Sequence, residues 1–143
     1  MPGPNQAPLF TITPRLEVSK QGDISSTRDN LTPADLFTAG SNGSRIERVT
    51  VLSKCAHAGT NTAKMIWLCL YDGSTWIILD EILMPSITPD ATTAGAVVIF
   101  DYTSRGGLIL PANIHIGISY NNSSGYSAST DDDLYIAIEG GDY

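Results

Sequence analysis

The chain has 143 residues and a mass of 15.2 kDa, a size suited to one compact domain. Apolar residues make up 42% and charged residues 16%, below the roughly 25% charge of ordinary soluble domains, so a core can form and wholesale disorder is excluded. The net charge of −7, with no Lys or Arg after Arg105, argues against a groove that tracks phosphates, and therefore against nucleic acid or an anionic membrane as partner.

Ser, Thr, Asn and Gly form about a third of the chain, and with eight prolines they favour short strands and turns over long helices. In chain order, residues 1–15 read as an extended N-terminal arm or edge strand, with Leu9, Phe10 and Ile12 alternating before Pro14. Residues 16–143 read as a single β-sandwich domain. Leu16-Glu17-Val18 alternates weakly, Gln21 to Asn30 is polar and turn-rich, and Asp35 to Thr38 suits a short strand. Gly40-Ser41-Asn42-Gly43-Ser44 predicts a tight turn.

From Arg45 the β pattern is strong. Arg45 to Cys55 places Val49 and Val51 on one face and Ile46, Arg48, Thr50 and Leu52 on the other. Lys64 to Tyr71 and Thr75 to Met84 flank Asp72-Gly73, which predicts a hairpin with a two-residue loop, Lys64 opposite Glu81 and Leu68 opposite Ile77. Further strands are read at Val97 to Tyr102, Leu108 to Leu110, Ile114 to Tyr120 and Asp133 to Glu139. In the last two, Ile114, Ile116, Ile118, Leu134, Ile136 and Ile138 point inward. Eight or nine short strands predict an all-β fold, an antiparallel sandwich of jelly-roll type.

The central hairpin is apolar on both faces. Ile66, Leu68, Leu70, Ile77 and Leu79 make the core face, while Met65, Trp67, Cys69, Tyr71, Trp76 and Ile78 make a second face that a wetted sheet would not carry. That second face calls for cover, by a segment of the same chain or by another subunit. Met65, Trp67, Tyr71, Trp76 and Ile78 are thus candidate interface or arm-covered residues.

Residues equipped for chemistry are few. His57 and His115 are the only histidines, Asp80 and Glu81 point to opposite faces of one strand, and no nucleophile elbow, Walker, Rossmann or zinc-protease pattern occurs. No catalytic, cofactor-binding or metal residue is assigned. Asp131-Asp132-Asp133 lacks the spacing of a calcium loop and reads as a solvated charge run. Cys55 and Cys69 lie in apolar runs and read as buried free thiols, a disulfide being the alternative. The opening Met1-Pro2-Gly3-Pro4-Asn5 lacks the features of a signal peptide, so synthesis in a cytoplasm is expected.

Phe37-Thr38-Ala39-Gly40-Ser41-Asn42-Gly43-Ser44-Arg45-Ile46, Asn61-Thr62-Ala63, Leu108-Ile109-Leu110-Pro111-Ala112 and the terminal Glu139-Gly140-Gly141-Asp142-Tyr143 together resemble a group of small tailed-phage virion proteins, the capsid cement or decoration proteins of cyanophage-like heads. Asn113 stands where glycine is expected in that pattern, a departure tolerable because Asn accepts positive φ. The resemblance implies a structural, non-enzymatic protein that trimerises on the outer capsid surface of the virion. There it would clamp neighbouring capsomers, with itself and the phage major capsid protein as partners and no cofactor. Leu9, Phe10, Ile12 and Arg15 are the candidate capsid-contact arm, and the cations Arg15, Lys20 and Arg28 are expected to set that side apart from an acidic carboxy-terminal side. The alternative is a host receptor- or glycan-binding sandwich of a phage fibre or head, with a host surface glycan as ligand and loops such as Asn121 to Thr130 as the contact surface. Separately, Trp67 and Trp76 are candidates for a sugar-stacking platform, with core or subunit packing as the competing reading.

Overall fold

The computed structural model describes residues 13–21, 25–53, 63–121 and 133–143. They form ten strands: β1 (Thr13–Gln21), β2 (Ser25–Ser26), β3 (Ala34–Thr38), β4 (Ser44–Ser53), β5 (Lys64–Tyr71), β6 (Trp76–Met84), β7 (Val97–Asp101), β8 (Leu108–Leu110), β9 (His115–Asn121) and β10 (Leu134–Asp142). Sheet A has the order β1-β10-β4-β7, with β8 also on β4; sheet B has the order β2-β9-β5-β6, with β3 also on β9. All pairings are antiparallel except the short one between β2 and β9.

β7 and β8 follow one another along the same edge of β4, separated by an excursion through a 3-10 turn at Thr103–Arg105. Counting them as one strand, and setting aside the two-residue β2, which runs parallel to β9, the sheets run first-eighth-third-sixth and second-seventh-fourth-fifth. That is the double Greek key of a jelly roll, as the strand spacing predicts. Asn113 has φ 61°, so it does occupy the left-handed conformation for which glycine is the commoner choice.

The core lies between the sheets. Ile46, Val49, Val51, Phe100, Ile136 and Ile138 of sheet A meet Ile66, Leu68, Met84, Ile116, Ile118 and Tyr120 of sheet B. The inward sets predicted for β9 and β10 are the observed ones. Three register shifts occur: one sets β3 against β9 between Asp35 and Phe37, and the other two alter the remaining face assignments.

The first bulge shifts β4 against β10. Glu139 pairs with Arg48 but Gly140 with Ile46, leaving Glu47 as the extra residue. Ile46 therefore turns inward beside Val49 and Val51, contrary to simple alternation, and is fully buried. The second bulge shifts β5 against β6. The hairpin loop has four residues, closed by Asp72 N–H donating to the Thr75 carbonyl at 3.2 Å, and Tyr71 pairs with Trp76. Beyond Cys69–Ile78 the register slips, so Leu68 faces Asp80 and Lys64 faces Met84, in place of the predicted Leu68–Ile77 and Lys64–Glu81 pairs. Leu79, assigned to the core face, is the extra residue and is 42% exposed; Ile77, at the sheet edge, is 51% exposed. Ile82 and Met84 take their place on the core.

β1 belongs to the sandwich from Thr13 onward, so its first three residues are sheet and not arm. Its polarity is inverted. Glu17 and Ser19 pair with the inward-facing Ile138 and Ile136, whereas Leu16 and Val18 point out of the sandwich and are 64% and 70% exposed.

One corner ties the ends of the fold together. Ser44 Oγ donates to Asp142 Oδ1 at 2.5 Å, and Arg15 Nη1 donates to the same oxygen at 3.1 Å. Gly40 N–H donates to Ser44 Oγ at 2.9 Å, and Tyr143 N–H to the Gly43 carbonyl at 3.2 Å. Arg15 further reaches the Thr38 carbonyl and Glu17, with its guanidinium 4.1 Å from the Phe37 ring centroid. Arg15 is thus held within the fold, on the edge strand that was one of the two readings of residues 1–15. Leu9, Phe10 and Ile12 lie outside the described residues. Lys20 pairs with Asp133 and Arg28 with Glu81, so the cations neutralise acids of the carboxy-terminal strand and of β6. β1 and β10 are neighbours, which brings Lys20 beside Asp133; the acidic loop residues Asp131 and Asp132 lie outside the described residues.

Two outcomes are expected. A Cβ on Gly140 would lie 2.2 Å from the Arg45 carbonyl oxygen, so Gly140→Ala should cost about 1–3 kcal/mol in urea unfolding, through forced displacement at the bulge. Gly73→Ala meets no atom within 4 Å, and only its φ of +99° is unfavourable, so it should cost about 1 kcal/mol. Equal losses for a shared small cause would remove the bulge argument. Asp142 is held below the usual carboxylate range by the Ser44 hydroxyl, with partial desolvation opposing and Arg15 assisting. Its contribution is present above the unfolded value of about 3.9 and is lost as pH falls through the lower folded value. Stability of Asp142→Asn should therefore fall less steeply than wild type across that acidic window.

Candidate functional site

Each sheet turns one face to the core and one away from it, and the two outer faces differ in how they are covered. On sheet B the outer face carries the hairpin residues singled out in the sequence. Trp67 is fully buried, and its Nε1 donates to Glu81 Oε2 at 3.1 Å. The cover is the chain between β2 and β3. The Arg28 guanidinium lies 5.3 Å from the Trp67 ring centroid and pairs with Glu81. Ser119 Oγ donates to Ser26 Oγ at 2.6 Å. Thr27 and Asn30 exchange backbone hydrogen bonds that close the turn between them.

The cover is therefore intramolecular over Trp67, Cys69, Gly117 and Ser119, all buried. Over Trp67 the cover comes from a segment of the same chain, while Met65, Tyr71, Trp76 and Ile78 remain half-buried. Burial pushes the Cys69 thiol up to about 12, which makes it an inert core group and matches the free-thiol reading. Cys55, His57, Asp131 and Asp132 lie outside the described residues.

Towards the hairpin loop this cover ends. Trp76, Tyr71, His115 and Thr38 form one row across β6, β5, β9 and β3, the first three half-buried and Thr38 exposed. The Tyr71 and Trp76 ring centroids are 5.2 Å apart, and His115 stands edge-on to Tyr71 at 5.8 Å. Trp76 lies down across β9 because Gly117 has no side chain; a Cβ there would come within 3.0 Å of the Trp76 ring. His115 Nδ1 is 2.7 Å from Asp35 Oδ2 and 3.3 Å from Thr38 Oγ1. Both neighbours meet the same ring nitrogen, so the imidazole cannot relay a proton between them as in a hydrolase triad.

Met65 and Ile78 are half-buried on the same outer face as Trp67. Asp80 and Glu81 diverge as expected: Asp80 Oδ2 accepts from the Tyr102 hydroxyl at 3.1 Å, while Glu81 takes Trp67 and Arg28. Asp80 Oδ1 accepts from Glu81 N–H at 2.8 Å, at the bulge. Among the described residues no group of three or more His, Cys, Asp or Glu is placed to hold a metal ion, and no helix is long and apolar enough to cross a membrane.

On sheet A the outer face was not singled out by sequence reasoning. Its rows are Lys20-Tyr135-Leu52-Val97, Val18-Ala137-Thr50-Ile99 and Leu16-Glu139-Arg48-Asp101 across β1, β10, β4 and β7. Two rows are apolar apart from Lys20 and Thr50, and Leu16, Val18, Val97, Ile99 and Tyr135 are all exposed. Arg48 lies between Glu139 and Asp101 in the third row, which gives that margin alternating charge. The alternation of Leu16 with Val18 and of Val97 with Ile99 was visible in the sequence. What it lacked was the knowledge that these residues share one face.

The two tryptophans should separate cleanly by experiment. Trp67→Ala should cost about 3–5 kcal/mol of stability, and iodide should quench Trp76 fluorescence while leaving the Trp67 signal untouched. Equal quenching of both would contradict the cover by the β2–β3 segment. No protein-family model matches this chain, and no curated protein matches its sequence.

Proposed function

We propose that this protein is a structural, non-enzymatic decoration protein of a phage head, and that the outer face of sheet A is its docking surface. One observation carries the reading: the inverted polarity of β1, which sends Leu16 and Val18 outward to extend an exposed apolar face formed with Tyr135, Ala137, Leu52, Val97 and Ile99. Such a face leaves on the order of 500 Å² of apolar side chain open, as large as the largest patch on a typical monomer, and patches of that size mark interaction surfaces. The virion setting rests on the resemblance of the Phe37–Ile46 turn and the Glu139–Tyr143 terminus to capsid cement proteins.

In this reading the partners are further copies of the chain, as a homotrimer, and the major capsid protein, on the outer surface of the virion. Clamping needs no chemistry. A protein that binds the closed shell and not loosened capsomers stabilises the shell by linkage. The apolar rows supply buried area, and the Glu139-Arg48-Asp101 margin supplies charge pairing that fixes orientation more than affinity.

The test uses Val18→Asp and Ile99→Asp, which place charge on the exposed face without touching the core. Both should melt within a few degrees of wild type. Wild type should scatter light at about three times the chain mass and bind undecorated capsids; the variants should lose at least one of these by about tenfold or more, as expected for a charge buried unpaired in an interface. Wild-type behaviour of both variants in both assays would overturn the proposal.

A further inference from the structure

We propose that the hairpin end of sheet B is a binding site for a neutral oligosaccharide, with Trp76 as its stacking platform. This inference concerns a different face from the docking surface and stands whether or not the decoration reading does. A cleft of about 410 Å³ opens above Trp76, between Asp29, Asn30 and Leu31 of the covering segment and Ser74 and Thr75 of the hairpin loop. Its volume is within the range of small-ligand sites, about 300–1,000 Å³.

Three features suit a sugar. First, the half-exposed indole of Trp76 presents an apolar ring, and the axial C–H bonds of a pyranose pack on such a face while its hydroxyls stay at the rim. Tyr71, tilted 46° to it, angles the floor and does not bury it. Second, polar residues line the cleft together with Trp76. Asn30 brings an amide, Asp29 a carboxylate and Thr75 a hydroxyl, the mixture of donors and acceptors that sugar hydroxyls need. Third, the aromatic row continues from Trp76 through Tyr71 to His115 and ends at Thr38 on β3, with the Asp35 carboxylate 2.7 Å from the imidazole. Crossing from β6 to β3 at strand spacing, that row is roughly 14 Å long, enough for two or three hexose units.

The platform is rigid because neighbours fix it. Gly117 admits the ring over β9, and the hairpin loop is pinned by Asp72, which accepts from the N–H groups of Thr75 and Ser74 at 2.9 Å each. Charge selects the ligand class. Asp29 lines the cleft, Asp72 anchors its hairpin loop and Asp35 sits at the far end of the row, while Arg28, next to Asp29 in the chain, is paired with Glu81. Sialylated or sulfated glycans would be repelled, so the ligand is uncharged.

The experiment is saturation-transfer NMR and tryptophan fluorescence on the full chain, with gluco-, galacto- and manno-configured trisaccharides as neutral probes and sialyllactose as the anionic one. At least one neutral probe should bind saturably in the millimolar range and shift the Trp76 emission, and sialyllactose should not. Trp76→Ala should weaken that binding by about tenfold or more, the loss of a principal contact. Ser74→Trp, at an exposed loop position, should block the cleft and serves if Trp76→Ala fails to fold. Trp67→Phe should bind as wild type. The inference is overturned if no neutral probe saturates at tens of millimolar, if Ser74→Trp binds as tightly as wild type, or if sialyllactose is the preferred ligand.

Discussion

The Asp142 carboxylate is the constraint on which the arrangement of the sandwich depends. It is shared between the Ser44 hydroxyl, which begins β4, and the Arg15 guanidinium, which belongs to β1. Through Ser44 it also sets the Gly40 turn, where the chain crosses from sheet B to sheet A. A sandwich held only by apolar burial could let its sheets slide, since that force has no direction. A charge-assisted bond to one carboxylate fixes register at one point, and the ladders on both sides of β10 carry it along the sheet. The price is local crowding: Gly40 must be glycine-sized because a Cβ would meet the Asp142 carboxyl carbon at 2.9 Å.

The strands were legible because alternation survives in a short polar-rich chain. β9 and β10 could be assigned face by face from Ile116-Gly117-Ile118 and Leu134-Tyr135-Ile136 alone. Register was not legible wherever a bulge intervenes, since one extra residue reverses every side chain beyond it. Ile46 and Leu79 were misassigned for that reason. A signal did exist at the first bulge, because paired glycines inside a strand, Gly140-Gly141, mark close backbone approach. At the second, Asp80 bonding the next N–H gives no comparable pattern in sequence. The inversion of β1 was hidden for another reason: Leu16-Glu17-Val18 alternates equally well with either face inward.

The candidate surfaces show the same division. Met65, Trp67, Tyr71, Trp76 and Ile78 were identifiable as one outer face from the hairpin, but only tertiary structure separates covered Trp67 from half-open Trp76. The segment that divides them, Ser26 to Pro33, reads as unremarkable polar loop. Its Arg28 acts on Trp67 by lying against the ring and on Glu81 by charge, so a single residue desolvates one aromatic and leaves its neighbour in the sheet available. Sheet A's outer face has no such cover among the described residues, so the two outer faces differ in how much apolar surface they leave open.

The pairing of β1 with β10 has a consequence in time. Thr13 is opposite Asp142, so the first strand of the sandwich has its neighbour in the last strand of the sandwich to be made. β10 also separates β1 from β4, and sheet A therefore lacks its second strand until β10 has been made. Sheet B can assemble its β5–β6 hairpin early from local contacts, whereas sheet A must wait for pairings that span almost the whole chain. During that interval Leu16 and Val18 sit on an unpaired strand with open hydrogen-bonding edges, the kind of segment that invites association between nascent chains. The polar inward face of β1, with Glu17 and Arg15, makes it a poor strand for the wrong sheet, and keeps the nascent segment soluble until β10 emerges.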